Sequence, residues 1–158
     1  MSRKFRTPKQ KTELKNIAIR LNRIAEGKIN QQQLADALGV CWRTAHRYLY
    51  DGVDNITTLL RICALLDVSY AYALCDDVTA VQQYRMSACP CQRAGQVLRQ
   101  LRRSKGLSQL DLAKDMAVEL CVVQQYEVKG INSISSVISI AQYFNIPLIT
   151  FFIAEPQN

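Results

Sequence analysis

Apolar side chains recur every three or four residues through most of the chain, which is the spacing of amphipathic helices. In residues 12–26 this pattern predicts a first helix, which ends at Gly27. The apolar positions of the helix are Leu14, Ile17, Leu21 and Ile24. Because the helical spacing returns in both halves of the chain, we predict an all-α protein.

The stretch from residue 30 to residue 52 predicts two short helices joined by a tight turn. Asn30 is a suitable N-cap for the first of them, and Gly39 ends it. The second helix begins at Val40 in this interpretation. Its inward positions are Val40, Ala45 and Leu49, and its outward positions are Trp42, Arg43, His46 and Arg47. The outward face is therefore large, polar and basic.

The chain then continues with two more predicted helices and a less regular segment. The helices cover residues 55–66 and 69–74. Residues 76–92 lose the helical period and contain Pro90, so we place a domain boundary there, with room for a short helix near Val81.

The helical plan restarts near Val97 and repeats the first half. Placing each residue beside the one 78 positions later aligns residues 31–62 with residues 109–140, with identity at eight of 32 positions, where composition alone gives about two. We therefore predict an internal duplication. The predicted parts are a basic arm (1–11), a first domain (12–75), a linker (76–92) and a second domain (93–155).

The central stretch resembles the helix-turn-helix of the Cro and phage-repressor family, which is also described as xenobiotic-response-element-like. The residues that carry the resemblance are Gln31, Leu34-Ala35, Gly39-Val40 and Ala45, and in the second copy Gln109, Leu112-Ala113, Val118 and Val123. The resemblance implies two tandem five-helix repressor-like domains in which the second and third helices form the motif. It also implies that Gln31 and Gln109 bond to phosphate at the start of the second helix.

The outward face of the first copy suits a DNA major groove. Arg43 and Arg47 can each bond bidentately to guanine or reach phosphate, and His46 can donate or accept beside them. Thr44 can reach phosphate. Trp42 is either a core residue or a contact to a thymine methyl or sugar. We therefore expect the helix around residues 41–49 to read the major groove.

The second copy differs at the aligned positions, and two interpretations of its face stay open. The four residues there are Leu120, Cys121, Gln124 and Gln125. Gln pairs well with adenine, which favours base reading. An apolar face flanked by acids is equally typical of a protein interface, with Leu120 and Cys121 as its centre.

The charge of the chain suits a polyanionic partner. The net charge is +7, and residues 1–28 hold nine Lys or Arg against two Glu. The arm is either a solvated tail or a contact to phosphate or the minor groove. The longest apolar run, about a dozen residues, is too short to span a bilayer, so we expect no membrane association. No apolar signal segment follows the basic start, so we expect a cytoplasmic, nucleoid-associated protein.

Cysteine and carboxylate usage argues against metal or catalytic chemistry. We interpret the six cysteines as free thiols, and Cys89 and Cys91 as linker residues, since a structural zinc site needs four suitably spaced ligands. No nucleophile–base–acid set or Gly-rich phosphate loop is present. We therefore predict no enzyme activity, no cofactor and no metal.

The resulting prediction is a homodimeric transcriptional regulator, a repressor, that binds specific double-stranded DNA. The alternative is a protein-interaction module, such as an antitoxin or a regulator-binding adaptor, that uses the same fold or its second domain to bind protein. A thiol-based sensor is a third interpretation and rests only on the cysteine count.

Overall fold

The computed structural model of the chain describes residues 6–77, 79, 82–83 and 85–154. It forms two compact units, Met1–Val78 and Thr79–Asn158. Among the described residues the secondary structure is helical, and the β-type pairing is an isolated antiparallel bridge between Met86 and Ile153. The prediction of an all-α protein is confirmed.

The first unit consists of five helices. These are α1 (Pro8–Ala25), α2 (Gln31–Leu38), α3 (Trp42–Tyr50), α4 (Ile56–Leu65) and α5 (Ala71–Leu74). Helices α1 and α2 both pack on α3, while α5 packs on α1 and α4 on α2. The largest fully buried side chains of this unit are Leu14, Ile17, Leu21, Leu34, Ile56, Leu59 and Ile62.

The second unit repeats this order, except that a 3₁₀ turn takes the place of the fifth helix. Its elements are α6 (Pro90–Ser104), α7 (Gln109–Asp115), α8 (Leu120–Lys129), α9 (Ile134–Phe144) and a 3₁₀ turn (Leu148–Phe151). Helices α7, α8 and α9 start 78 residues after α2, α3 and α4, respectively. The helix starts thus keep the register that the sequence identities predict.

Two helix starts differ from the predicted positions. Helix α1 begins at Pro8 rather than Thr12, because Thr7 and Gln10 form a capping box and proline suits the first helical position. Part of the predicted arm (1–11) is therefore helical, while residues 1–5 lie outside the described residues. Helix α3 begins at Trp42 rather than Val40, with Cys41 at its N-cap.

The linker predicted over residues 76–92 ends earlier than expected, because the next helix begins at Pro90. Pro90, which we interpreted as a breaker, occupies the first turn of α6, where its missing N–H leaves no hydrogen bond unmade. Helix α6 therefore begins well before Val97. The predicted short helix near Val81 falls on residues that lie outside the described part of the chain.

The turn between the two central helices has the same backbone in both units but different residues. Gly39 (φ +68°) and Ala117 (φ +52°) both adopt the left-handed conformation. A Cβ added at Gly39 would meet nothing within 4 Å, so the cost of a side chain there is conformational. The second unit therefore carries a strain that the first avoids.

We expect opposite effects from exchanging these two residues. Ala117→Gly should raise the free energy of unfolding of the second unit by about 0.5–1 kcal/mol, and Gly39→Ala should lower that of the first by about 1 kcal/mol. Urea unfolding followed by circular dichroism measures both. Changes of the same sign in the two variants would contradict this interpretation.

Candidate functional site

Helix α3 lies half embedded in the first unit. Ala45 and Leu49 are buried against α1 and α2, as predicted. Its remaining side chains, apart from the half-buried Thr44, His46 and Tyr48, are exposed. The helix therefore presents one long face to solvent while two neighbouring helices hold its other side.

Three rings form a continuous stripe along the exposed face of α3. The rings of Trp42 and His46 have centroids 5.2 Å apart, and those of His46 and Tyr50 stack at 4.3 Å with an interplanar angle of 17°. Trp42 is 51% exposed, so its alternative interpretation as a core residue is wrong. We call Trp42, His46 and Tyr50 the aromatic stripe.

Two guanidinium groups flank the aromatic stripe. Arg43 and Arg47 are exposed, and neither side chain has a hydrogen-bond or ion-pair partner within the described part of the chain. Other arginines of the same unit are engaged: Arg6 pairs with Asp54 and Arg20 with Asp76. The positive charge on α3 is thus available to an external anion.

The start of α2 lies beside the far end of the stripe. Gln31 is the first residue of α2, and its Nε2 donates a hydrogen bond to Tyr50 Oη at 3.4 Å. Asn30 is the N-cap of α2, as predicted, and forms a capping box with Gln33. The structure therefore brings Gln31 together with the α3 side chains. Tyr50 was not predicted, although its spacing of four residues from His46 is a usable signal.

The other end of α3 carries a thiol and a hydroxyl. Cys41 Sγ lies 3.3 Å from Thr44 Oγ1. Hydrogen bonds from the Thr44 side chain and backbone hold the pKa of Cys41 below its usual value. Thr44 is half-buried, and its hydroxyl already has Cys41 as a hydrogen-bond partner at the start of α3.

An open groove of about 800 Å³ adjoins the start of α3 within the first unit. Its apolar lining includes Ile19, Ile29, Trp42 and Leu49, and its polar lining includes Asn22, Arg23, Glu26, Gln31 and Gln32. Trp42 therefore borders both the groove and the outward face of α3.

The second unit contains a buried ion pair between α6 and α8. Arg102 donates from Nε to Glu127 Oε1 at 2.5 Å, from Nη2 to Glu127 Oε2 at 3.0 Å, and from Nη1 to the Leu107 carbonyl at 2.7 Å. The Glu127 side chain is only 3% exposed. Its burial favours the protonated form, but hydrogen bonds from Arg102 and Gln109 outweigh burial, so the pKa of Glu127 lies below its usual value.

Gln109, the second residue predicted to contact phosphate, is hydrogen-bonded to this ion pair. Gln109 Nε2 donates to Glu127 Oε2 at 2.9 Å, whereas Gln31 of the first unit bonds to an exposed hydroxyl. The position that corresponds to Glu127 in the first unit is Leu49, and that unit has no such pair among its described residues. The two glutamines therefore have different surroundings.

The outward face of α8 is mostly uncharged. Leu120 is 37% exposed and Val128 is 80% exposed, with Cys121, Gln124 and Gln125 exposed between them. The charged groups lie at the two ends of the helix. Glu119 at the N-cap accepts a hydrogen bond from the Cys121 thiol at 3.5 Å, and Lys129 is the last residue.

All six cysteines are free thiols, and Cys89 and Cys91 lie at the start of α6. Among the residues that the structure describes, no group of three or more His, Cys, Asp or Glu side chains is arranged to hold a metal ion. Within the same residues, none of the helices has the length and apolar character needed to cross a membrane.

Comparison of the chain with protein-family models, with curated proteins and with solved structures finds no match. The class of the protein is therefore inferred from its own residues and their geometry.

Proposed function

We propose that the chain is a sequence-specific regulator of transcription, a repressor, that binds double-stranded DNA through α3. In this proposal each unit is a repressor-like helix-turn-helix domain, and the protein acts in the cytoplasm as a homodimer without enzymatic activity or cofactor. The observation that carries the proposal is the exposed face of α3, where two guanidiniums lie beside the aromatic stripe with no partner among the described residues.

The dimensions of α3 fit a major groove. An α-helix with its side chains is about 10–12 Å in diameter, which fits a groove about 12 Å wide, and the nine residues of α3 extend about 13 Å along it. Arg43 and Arg47 extend from this helix and can each reach guanine O6 and N7 with paired N–H donors. The neighbouring rings can supply apolar contacts to thymine methyl groups and sugars.

Helix α2 has a supporting role in the proposal. Gln31 lies at its N-terminus, and its weak 3.4 Å hydrogen bond to Tyr50 can be exchanged for a phosphate oxygen at low cost. A phosphate contact here would fix the register of α3 in the groove without reading sequence. The protein would then repress by occupying a promoter.

Selection of bound sites from a pool of random duplexes, using the full chain, tests the proposal. We expect enrichment of one motif, and for a dimer a palindrome whose half-sites are about one helical turn apart or a multiple of it. A mobility-shift assay then compares the selected duplex with a shuffled one. Equal binding to both, or none to either, would refute sequence-specific recognition and favour the protein-interaction module.

Single arginine variants separate base reading from phosphate binding. Arg43→Ala and Arg47→Ala should each weaken binding to the selected site by about 1–3 kcal/mol and relax the preference at one base pair. Lys15→Ala removes one exposed charge from α1 and controls for the general loss of positive field. If an arginine variant weakens binding equally on all duplexes, that arginine contacts phosphate.

A further inference from the structure

The exposed face of α8 has the features of a helix–helix contact rather than of a nucleic-acid contact. Its most exposed apolar residue is Val128, and the five outward residues from Leu120 to Val128 include no cation. Phosphate binding needs cations, whereas the cores of protein interfaces are depleted in charge. The same face of α3 carries two arginines.

We propose that α8 packs antiparallel against α8 of a second copy of this chain, with the two-fold axis between Gln124 and Gln125. The proposal specifies the surface of the homodimer proposed above and does not depend on DNA binding. About this axis, Cys121 of one copy lies opposite Val128 of the other, because the two residues are equally far from the centre of the helix.

The charges at the ends of α8 favour this orientation. The Glu119 carboxylate lies beside the Cys121 thiol at the N-terminal end of the face, and Lys129 follows Val128 at the C-terminal end. An antiparallel pair brings each carboxylate to the ammonium end of the other copy, and it also opposes the helix dipoles favourably. A parallel pair would place like charges together.

The corresponding contact through α3 is unfavourable. The same operation on α3 would bring Arg43 and Arg47 of both copies into one small contact, so four guanidiniums would be desolvated without a counter-ion. The self-complementary surface is therefore α8, and α3 stays available for DNA.

The proposed contact between two copies of α8 is small. Two ten-residue helices bury an area at the low end of specific interfaces, so we expect dissociation in the micromolar range. Sedimentation of the full chain over that range should show a concentration-dependent dimer. Val128→Glu should raise the dissociation constant roughly tenfold or more, since it buries a carboxylate against Cys121 of the other copy without a partner. Tyr50→Glu, at the matching position of α3, should leave the dimer intact.

A designed disulfide tests the antiparallel register. In full-length protein with Cys41→Ser and Cys89→Ser, we expect Val128→Cys to cross-link to the native Cys121 of the second copy under mild oxidation. Within one helix the two positions lie about 10 Å apart, too far for a disulfide inside one chain. Adding Cys121→Ser should abolish the cross-linked dimer on a non-reducing gel.

The outcomes distinguish this inference from the proposed function. A dimer that resists Val128→Glu, or a cross-link that survives Cys121→Ser, would overturn the α8 interface. A monomer at all concentrations would overturn it together with the homodimer. Each result is independent of whether the same protein shifts the selected duplex, which tests DNA binding alone.

Discussion

Glu127→Leu is expected to destabilise the second unit by about 3–5 kcal/mol, because it leaves the Arg102 guanidinium buried with only the Leu107 carbonyl as an acceptor. The loss is large because an uncompensated buried charge costs more than the ion pair contributes. Urea unfolding of the full chain, followed by circular dichroism, measures it. Trp42 is the only tryptophan and lies in the first unit, so its fluorescence reports whether that unit is unaffected.

The double variant Arg102→Met and Glu127→Leu is the matched control. Well-packed apolar side chains of similar volume often replace a buried ion pair without loss, so we expect its stability to return to within about 1 kcal/mol of the native protein. The first unit already has an apolar residue, Leu49, at the position of Glu127. If the double variant is as unstable as the single one, volume and packing are responsible, and not the charge.

The outward face of α3 could be predicted from sequence because its determinants are local. The helical period assigns Ala45 and Leu49 to the buried side, and their burial in turn fixes which side chains point outward. The N-cap of α2 at Asn30 could also be predicted, because capping depends on the residue type at the helix start and on a partner three positions away. Features whose residues lie within one or two helical turns of each other can thus be predicted from the sequence.

The Arg102–Glu127 pair could not be predicted in this way because its partners are 25 residues apart and lie on different helices. The sequence indicated only that Glu127 is an acid beside the outward face of the second copy, and periodicity does not state which residues of two different helices meet. One signal was present, since a Glu occurs where the first copy has the buried Leu49. A charged residue at an apolar position of a repeat indicates a buried partner.

The two units differ most at the positions that face solvent. In the aromatic stripe, Trp42, His46 and Tyr50 correspond to Leu120, Gln124 and Val128 of α8. One buried position stays apolar in both helices, Ala45 and Val123, whereas the buried Leu49 of α3 is replaced in α8 by Glu127, which pairs with Arg102. A duplicated scaffold with divergent outward faces supports a division of roles, with α3 reading DNA and α8 joining two copies.

Gly52→Ala is expected to destabilise the first unit by about 2–5 kcal/mol, which combines overpacking with a left-handed backbone. A Cβ at this position would lie 2.3 Å from the Leu14 carbonyl oxygen, and φ is +102°. The contact is with backbone, so no side-chain rotation can relieve it. Because Gly52 follows α3 directly and touches α1, the clash would displace the end of α3 that carries Tyr50.

Two glycine controls make the Gly52→Ala result specific. Gly39 also has a positive φ (+68°), but a Cβ there would meet open space, so Gly39→Ala should cost only about 1 kcal/mol. Gly130→Ala, whose Cβ would lie 2.5 Å from the Cys91 carbonyl oxygen, should destabilise the second unit and leave the Trp42 transition unchanged. We expect Gly52→Ala to weaken DNA binding as well, and Gly130→Ala to spare the base preference. A Gly52→Ala protein no less stable than Gly39→Ala would mean that α1 does not hold the end of α3.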